Sequence, residues 1–178
     1  GILGGGQLAM MMIQSSIKDN IEFVVVDPSD NPPASKYVKC IKSEFDNEEM
    51  LNRLTQECDV VTIDFENVPS SALKYLEGKI DVHPNSKAVE LCQDRFKEKK
   101  LFEECGIPVT RYNKIDDIDS LFVSKESFSN GAILKSRFFG YDGKNQVDLD
   151  VSDLKTAFET CGGDKLIIEE KVSFTKEL

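Results

Sequence analysis

Residues 132–147 read AILKSRFFGYDGKNQV, and the reading of this stretch decides the fold of the second half of the chain. A short apolar run ends in Lys135. It passes into a loop holding Gly140 and Gly143, with Tyr141, Asp142 and Lys144 beside them, and returns through Asn145 and Gln146 to Val147. The pattern is strand, lysine, glycine loop, strand. Glycines allow positive φ and close approach of backbone to a ligand, and successive exposed amides in such a turn form an anion cradle. Lys135 and Lys144 put positive charge at its two ends. Taken alone, the stretch reads first as a hairpin loop with solvated lysines; its neighbours change that reading.

Upstream, QDRFKEKKLFEECGIPVT (93–110) predicts a helix. Asp94 is its N-cap, Gly106 its C-terminal stop, and Pro108 prevents resumption. Arg95 and Lys99 are four apart and share one face, either a phosphate-binding pair or a solvated edge. A strand over 111–115 and a helix over 117–123 follow. Downstream come a strand over 146–149, a helix over 153–161, and KLIIEEKV (165–172), an apolar strand ending in Glu169 and Glu170 and then Lys171 and Val172. Hairpin-linked strands with helices predict a small α+β unit over residues 89–178.

The first half alternates strand and helix. Strands are predicted at the N-terminus and over 22–27, 38–42 and 60–65, with helices over 7–18 and 47–57 and one from Ser70. Apolar runs without polar alternation imply burial on both faces, hence a doubly wound, Rossmann-like parallel sheet over residues 1–88. The boundary falls in IDVHPNSKA (80–88), rich in turn formers. Gly4-Gly5-Gly6-Gln7-Leu8-Ala9 after the first strand fits the G-x-G-x-x-A fingerprint, and Asp27 lies near the spacing of a ribose-binding acid. A NAD-binding oxidoreductase domain is therefore an alternative for this half. In VTIDFENVP, Asp64, Glu66 and Asn67 fall where a strand ends, the ligand edge of a parallel sheet; Asp64 and Asn67 serve equally to cap the turn.

Composition narrows the partners. The 178 residues carry 22 Lys plus Arg against 32 Asp plus Glu, a formal charge of −10, which repels polyanions and argues against nucleic acid. Hydrophobic residues make up 40%, the ordinary globular share, and no apolar run suffices to span a bilayer. Five cysteines without a C-x-x-C pair predict reduced thiols in a cytoplasmic protein, and the single histidine, His83, reads as a loop residue. The N-terminus, GILGGGQ, lacks an initiator Met and a signal sequence, and opens as though inside a strand.

The succession GGGQL, DFENVP, QDRFKEKKLFEECGIPVT, ILKSRFFGYDGKNQ and IIEEKVSFTKE resembles the ATP-grasp enzymes of purine biosynthesis. Within them it is most similar to the 5-(carboxyamino)imidazole ribonucleotide synthases, also called the ATPase subunit of phosphoribosylaminoimidazole carboxylase. The resemblance covers nearly the whole chain, and FENVP with GYDGK is its most specific part.

The resemblance implies a Rossmann-like pre-ATP-grasp domain followed by the small ATP-grasp subdomain. It also implies ATP-dependent carboxylation of 5-aminoimidazole ribonucleotide with bicarbonate through carboxyphosphate, in de novo synthesis of IMP. Arg95 and Lys135 would meet the phosphates, and the loop Gly140, Tyr141, Asp142, Gly143, Lys144, Asn145, Gln146 would close over them. Glu169, Glu170, Lys171 and Val172 would form the hinge strand against adenine, and Glu177 would hold the ribose. Lys135 and Lys144 are the catalytic candidates; Gln7, Glu66, Asn67, Tyr141 and Lys144 are the substrate-binding ones. Magnesium is implied as cofactor, with its acidic ligands expected beyond residue 178. The chain is accordingly expected to be a fragment, inactive alone, of an enzyme that acts as a homodimer.

Four positions depart from the family pattern. Phe139 and Asn145 stand where glycine is usual, so the loop is expected to be stiffer; Met10 replaces an arginine and Asp64 a glutamate. Two other readings share the scaffold: a formate-activating glycinamide ribonucleotide transformylase, and a nucleotide-binding module without catalysis.

Overall fold

The computed structural model describes residues 1–140 and 145–176. The chain divides into two compact units, Gly1–Glu90 and Leu91–Leu178. The first is built on strands β1 (Ile2–Leu3), β2 (Val25–Asp27), β3 (Cys40–Lys42), β4 (Val60–Ile63) and β5 (Asp81–Val82). All pairs are parallel, in the order β3-β2-β1-β4-β5. Helices α1 (Gln7–Ser16), α2 (Glu48–Glu57), α3 (Ser70–Glu77) and α4 (Ser86–Cys92) alternate with them, and a 3-10 turn spans Pro33–Lys36.

The doubly wound architecture follows from the paired apolar residues in each strand. Neighbours along a strand face opposite sides. Ile2 and Val25 thus pack with Ala9, Ile13 and Ala34 on one side. Leu3, Val26 and Val61 pack with Leu51, Leu54, Leu73 and Leu76 on the other. Both faces exclude water, so neither can be polar.

Three local differences from the sequence reading have physical reasons. Strand β2 begins at Val25, three residues later than the apolar run suggests. The turn-forming stretch 80–88 contains β5, which pairs beside β4 through Val60↔Asp81 and Val61↔Val82. A two-residue strand is too short to show any period. It also contains the start of α4, where the Asn85 side chain accepts from the Ala88 amide at 2.8 Å, an N-cap hidden behind Pro84.

The second unit holds α5 (Arg95–Glu104), β6 (Tyr112–Ile115), α6 (Ile118–Lys125), β7 (Ala132–Ser136), β8 (Gln146–Asp148), α7 (Leu154–Thr160) and β9 (Leu166–Glu170). Its sheet is antiparallel, in the order β6-β9-β7-β8, so the last strand in sequence lies in the interior of the sheet. Each helix is capped by an aspartate: Asp94 for α5, Asp117 with Ser120 in a reciprocal capping box for α6, and Asp153 for α7.

Alternation here separates two different faces. Ile115, Ala132, Leu134, Leu166 and Ile168 are buried with Leu121, Phe128 and Ala157 from the helical side. The register Tyr112↔Glu169, Ile133↔Glu169, Lys135↔Ile167 and Lys135↔Gln146 places Tyr112, Lys135, Gln146, Ile167 and Glu169 together on the opposite face. Lys171 and Val172, read as part of the last strand, lie just past its end. No described helix is long and apolar enough to cross a membrane.

Candidate functional site

At the C-terminal edge of the parallel sheet, β1 and β4 are neighbours, and this adjacency joins the loop before α1 to the turn after β4. The link is Asp64. Its carboxylate accepts from the Gly6 amide at 2.8 Å and from the Ala9 amide, so it caps the N-terminus of α1 across 58 residues of sequence. Asp27 accepts from the Gly5 amide at 2.7 Å and from the Ser29 amide at 2.8 Å.

The glycines follow from these neighbours. Gly4 has φ +98°, and a Cβ on it would lie 2.6 Å from the Asp64 Cβ; a Cβ on Gly6 would overlap the Asp64 carboxylate. Two amides that a dinucleotide fingerprint offers to a pyrophosphate are thus taken by protein carboxylates, and Asp27 holds the loop rather than standing open to a ribose. The G-x-G-x-x-A match has a structural cause, and the dinucleotide reading loses its basis.

Gln7 and Glu66 are exposed and Asn67 half-buried at this same edge. Asp64→Ala removes an anion and the acceptor of two backbone-amide hydrogen bonds from the start of α1. It is expected to destabilise the first unit by about 2 kcal/mol, read as a lowered urea midpoint with an unchanged slope. An open cleft of about 1100 Å³ lined by Gly1, Met12, Phe23, Glu57 and Val60 lies at the other, N-terminal edge of the strands, away from the ligand side of such sheets.

In the second unit the mixed face of the sheet carries a three-membered charge cluster. Lys135 Nζ lies 3.0 Å from Glu169 Oε2. Lys99 Nζ, from α5, lies 3.5 Å from the same oxygen. Glu169 is only 7% exposed, and two ammonium groups on one carboxylate leave the spot net positive. Lys99 also donates to Thr110 Oγ1 at 2.9 Å and lies 5.5 Å from the centroid of the Tyr112 ring. Burial and a 2.9 Å bond to Glu103 push the Tyr112 phenol up to about 12, so it stays protonated and serves as an aromatic platform.

Arg95, at the first turn of α5, donates to the Gly140 carbonyl at the start of the glycine loop. A Cβ on Gly140 would lie 2.7 Å from the guanidinium, which would have to shift to make room. Beneath it, Arg137 and Asp94 form a bidentate pair, Nε to Oδ1 at 2.9 Å and Nη2 to Oδ2. Asp94 is 1% exposed and also caps α5 through the Phe96 amide at 3.0 Å. Burial alone would raise the Asp94 carboxyl, but the guanidinium and the helix amides outweigh it and hold the group below its ordinary value.

The two non-glycine residues in the loop adopt the glycine conformation. Phe139 has φ +55° and Asn145 φ +54°. Asparagine tolerates this region; a phenylalanine does not, and its ring is largely exposed, with little packing to offset the strain. Phe139→Gly is therefore expected to stabilise the fold by about 1 kcal/mol, since relief of the left-handed strain exceeds glycine's added chain entropy. A rise in melting temperature would show it.

The structure brings Arg95, Lys135, Gly140, Gln146 and Glu169 to one side of the second unit. Glu170 points the other way, with Arg111 Nε 3.9 Å from its carboxylate. Lys171 is held by Asp148 at 2.6 Å and Asp150 at 3.4 Å, and Val172 is exposed. Tyr141, Asp142, Gly143, Lys144 and Glu177 lie outside the described residues. One member of the local network was not singled out in the sequence: Arg137 carries no sign of its partner 43 residues away. Lys99 was read there, with Arg95, as either a phosphate-binding pair or a solvated edge.

Comparison with known proteins agrees with this arrangement. A family model described as the ribonucleotide synthetase preATP-grasp domain matches residues 1–93, and an ATP-grasp domain model matches residues 100–178. The N5-carboxyaminoimidazole ribonucleotide synthase of Staphylococcus aureus (strain COL) is 36% identical over 181 residues, covering 100% of this chain and 48% of the relative. Among solved structures, the Staphylococcus aureus N5-carboxyaminoimidazole synthetase complexed with ADP superposes with a TM-score of 0.90 at 35% identity, over 97% of this chain and 47% of that one. The Aspergillus clavatus synthase in complex with ADP and 5-aminoimidazole ribonucleotide gives 0.85 at 27% identity, over 98% of this chain and 46% of that one. The chain spans about half the length of the relatives it matches. With a ribonucleotide synthetase preATP-grasp model matching residues 1–93 and an ATP-grasp model matching residues 100–178, the chain belongs to the ribonucleotide synthetase family of ATP-grasp proteins.

Proposed function

We propose that this chain supplies part of the ATP site and part of the ribonucleotide site of an enzyme that carboxylates 5-aminoimidazole ribonucleotide with bicarbonate, through carboxyphosphate. The observation that carries the reading is the net-positive cluster of Lys135, Lys99 and Glu169 on the mixed face of the sheet, beside a glycine loop whose first carbonyl is held by Arg95. Phosphoryl transfer asks a protein chiefly for positioning and charge neutralisation, and a lysine fixed at the end of a strand is suited to both. Lys135 and Arg95 meet the nucleotide phosphates. Gln146, paired directly with Lys135, flanks them, and Ile167 and Tyr112 give the same face apolar area for a flat base. Gln7, Glu66 and Asn67, at the C-terminal edge of the parallel sheet, face the ribonucleotide.

Magnesium belongs to the proposal as an ion that would offset negative charge on the nucleotide phosphates. Among the described residues no group of three or more His, Cys, Asp or Glu side chains is placed to hold it, so its ligands are not assigned here.

The test is phosphate release from ATP by the protein expressed from its complete coding sequence, with bicarbonate and 5-aminoimidazole ribonucleotide added separately and together. Release that requires both supports the synthase reading. Release driven by formate and a different ribonucleotide would move the protein to the transformylase activity, and ATP binding without release in any combination would reduce it to a binding module.

A further inference from the structure

Glu169 is a buried carboxylate with two lysines on a single oxygen, and the two are held differently. Among the described residues the recorded partner of the Lys135 ammonium is Glu169 alone, at 3.0 Å. Lys99 is anchored independently of Glu169, by Thr110 Oγ1 at 2.9 Å and by the Tyr112 ring, and sits 3.5 Å from the carboxylate. One lysine is tethered from elsewhere and the other is free to leave. A lysine bound only to an internal carboxylate cannot be taken by a phosphate without cost, because its departure strands a buried negative charge. A second cation already in place removes that cost.

We propose that Lys99 is the standing counter-ion of Glu169, a positioning residue that lets Lys135 exchange its carboxylate for an arriving phosphate. In the structure both lysines share Oε2. When the phosphate draws Lys135 away, Lys99 closes on Glu169 and remains as its cation. Among the described residues the groups facing Glu169 are Lys135 from β7, Lys99 from α5 and the Tyr112 ring from β6, whose phenol is committed to Glu103. Without Lys99, a departing Lys135 leaves the Glu169 carboxylate without a cation among the described residues. This inference rests on the nucleotide reading above, since it takes a phosphate as the competing anion.

The experiment is isothermal titration of the protein from its complete coding sequence with ADP and magnesium chloride at pH 8. Lys99→Met is expected to weaken ADP binding by about 30-fold or more. In Lys99→Met with Glu169→Gln no buried negative charge is left behind when Lys135 moves, so most of that loss should be recovered. Ligand-free Lys99→Met keeps the Lys135–Glu169 pair, so its melting temperature should stay close to that of the parent. Weakened binding that Glu169→Gln does not recover, or unchanged binding, overturns the proposal while leaving the nucleotide site intact. Failure of the unsubstituted protein to bind ADP at all removes the nucleotide reading and this inference with it.

Discussion

Replacement of Arg137 by methionine is expected to cost about 3 to 5 kcal/mol of stability at neutral pH, because it leaves the Asp94 carboxylate buried without its cation. The pair is bidentate and almost wholly enclosed, with Asp94 1% exposed. Arg137 does more than neutralise. Its guanidinium lies 5.3 Å from the Phe96 ring and 5.4 Å from the Phe138 ring, its carbonyl accepts from the Arg95 amide at 3.1 Å, and its amide donates to the Lys165 carbonyl at 3.0 Å. One residue therefore ties the start of α5 to the end of β7 and to the residue before β9.

The pH dependence identifies the charge as the cause. In the parent, Asp94 titrates below its ordinary value of 3.8, so its contribution is complete above that value and is lost as pH falls through the lowered one. In the methionine variant burial dominates and the carboxyl moves up, so protonation relieves the penalty. The loss should be largest at pH 7 and should shrink as pH falls toward 4, measured by urea unfolding at each pH. A pH-independent loss would assign the effect to packing alone.

Lys135→Met is expected to lower ATP-dependent phosphate release by at least about a hundredfold in the complete protein, the usual cost of deleting one preorganised charge at a phosphoryl group. Its effect on folding should be small by comparison, because Lys99 remains on Glu169 at 3.5 Å. The two substitutions thus separate the unit's scaffold from its chemistry. Arg137→Met should appear in the unfolding curve, and Lys135→Met in the turnover rate with the melting temperature near that of the parent. A hundredfold loss accompanied by unfolding would mean that the lysine serves the fold.

The residues that could be read from sequence are those whose role is local. Asp94, Gly106 and Pro108 delimit α5 through caps and breakers acting over a few positions, and the paired apolar residues of β1, β2 and β4 announce a sheet buried on both faces. Positions defined by distant partners could not be read this way. Asp64 was expected at a ligand edge and lies there, yet its carboxylate is spent on the amides of Gly6 and Ala9. Arg137 looks in sequence like one more basic residue at the end of a strand. Phe139 and Asn145 were noted only as departures from glycine, and their positive φ shows what the glycines are for.

The alternation of β9 bears on folding fidelity as well as on the site. Leu166 and Ile168 face the apolar core while Ile167 and Glu169 face the other way, and β9 lies between β6 and β7. A slip of one residue would drive the Glu169 carboxylate into a layer of leucine, isoleucine and phenylalanine and pull two aliphatic side chains out of it. The Glu169 carboxylate therefore also disfavours a slipped pairing of β9 with β6 and β7, a second service of the same charge to the fold.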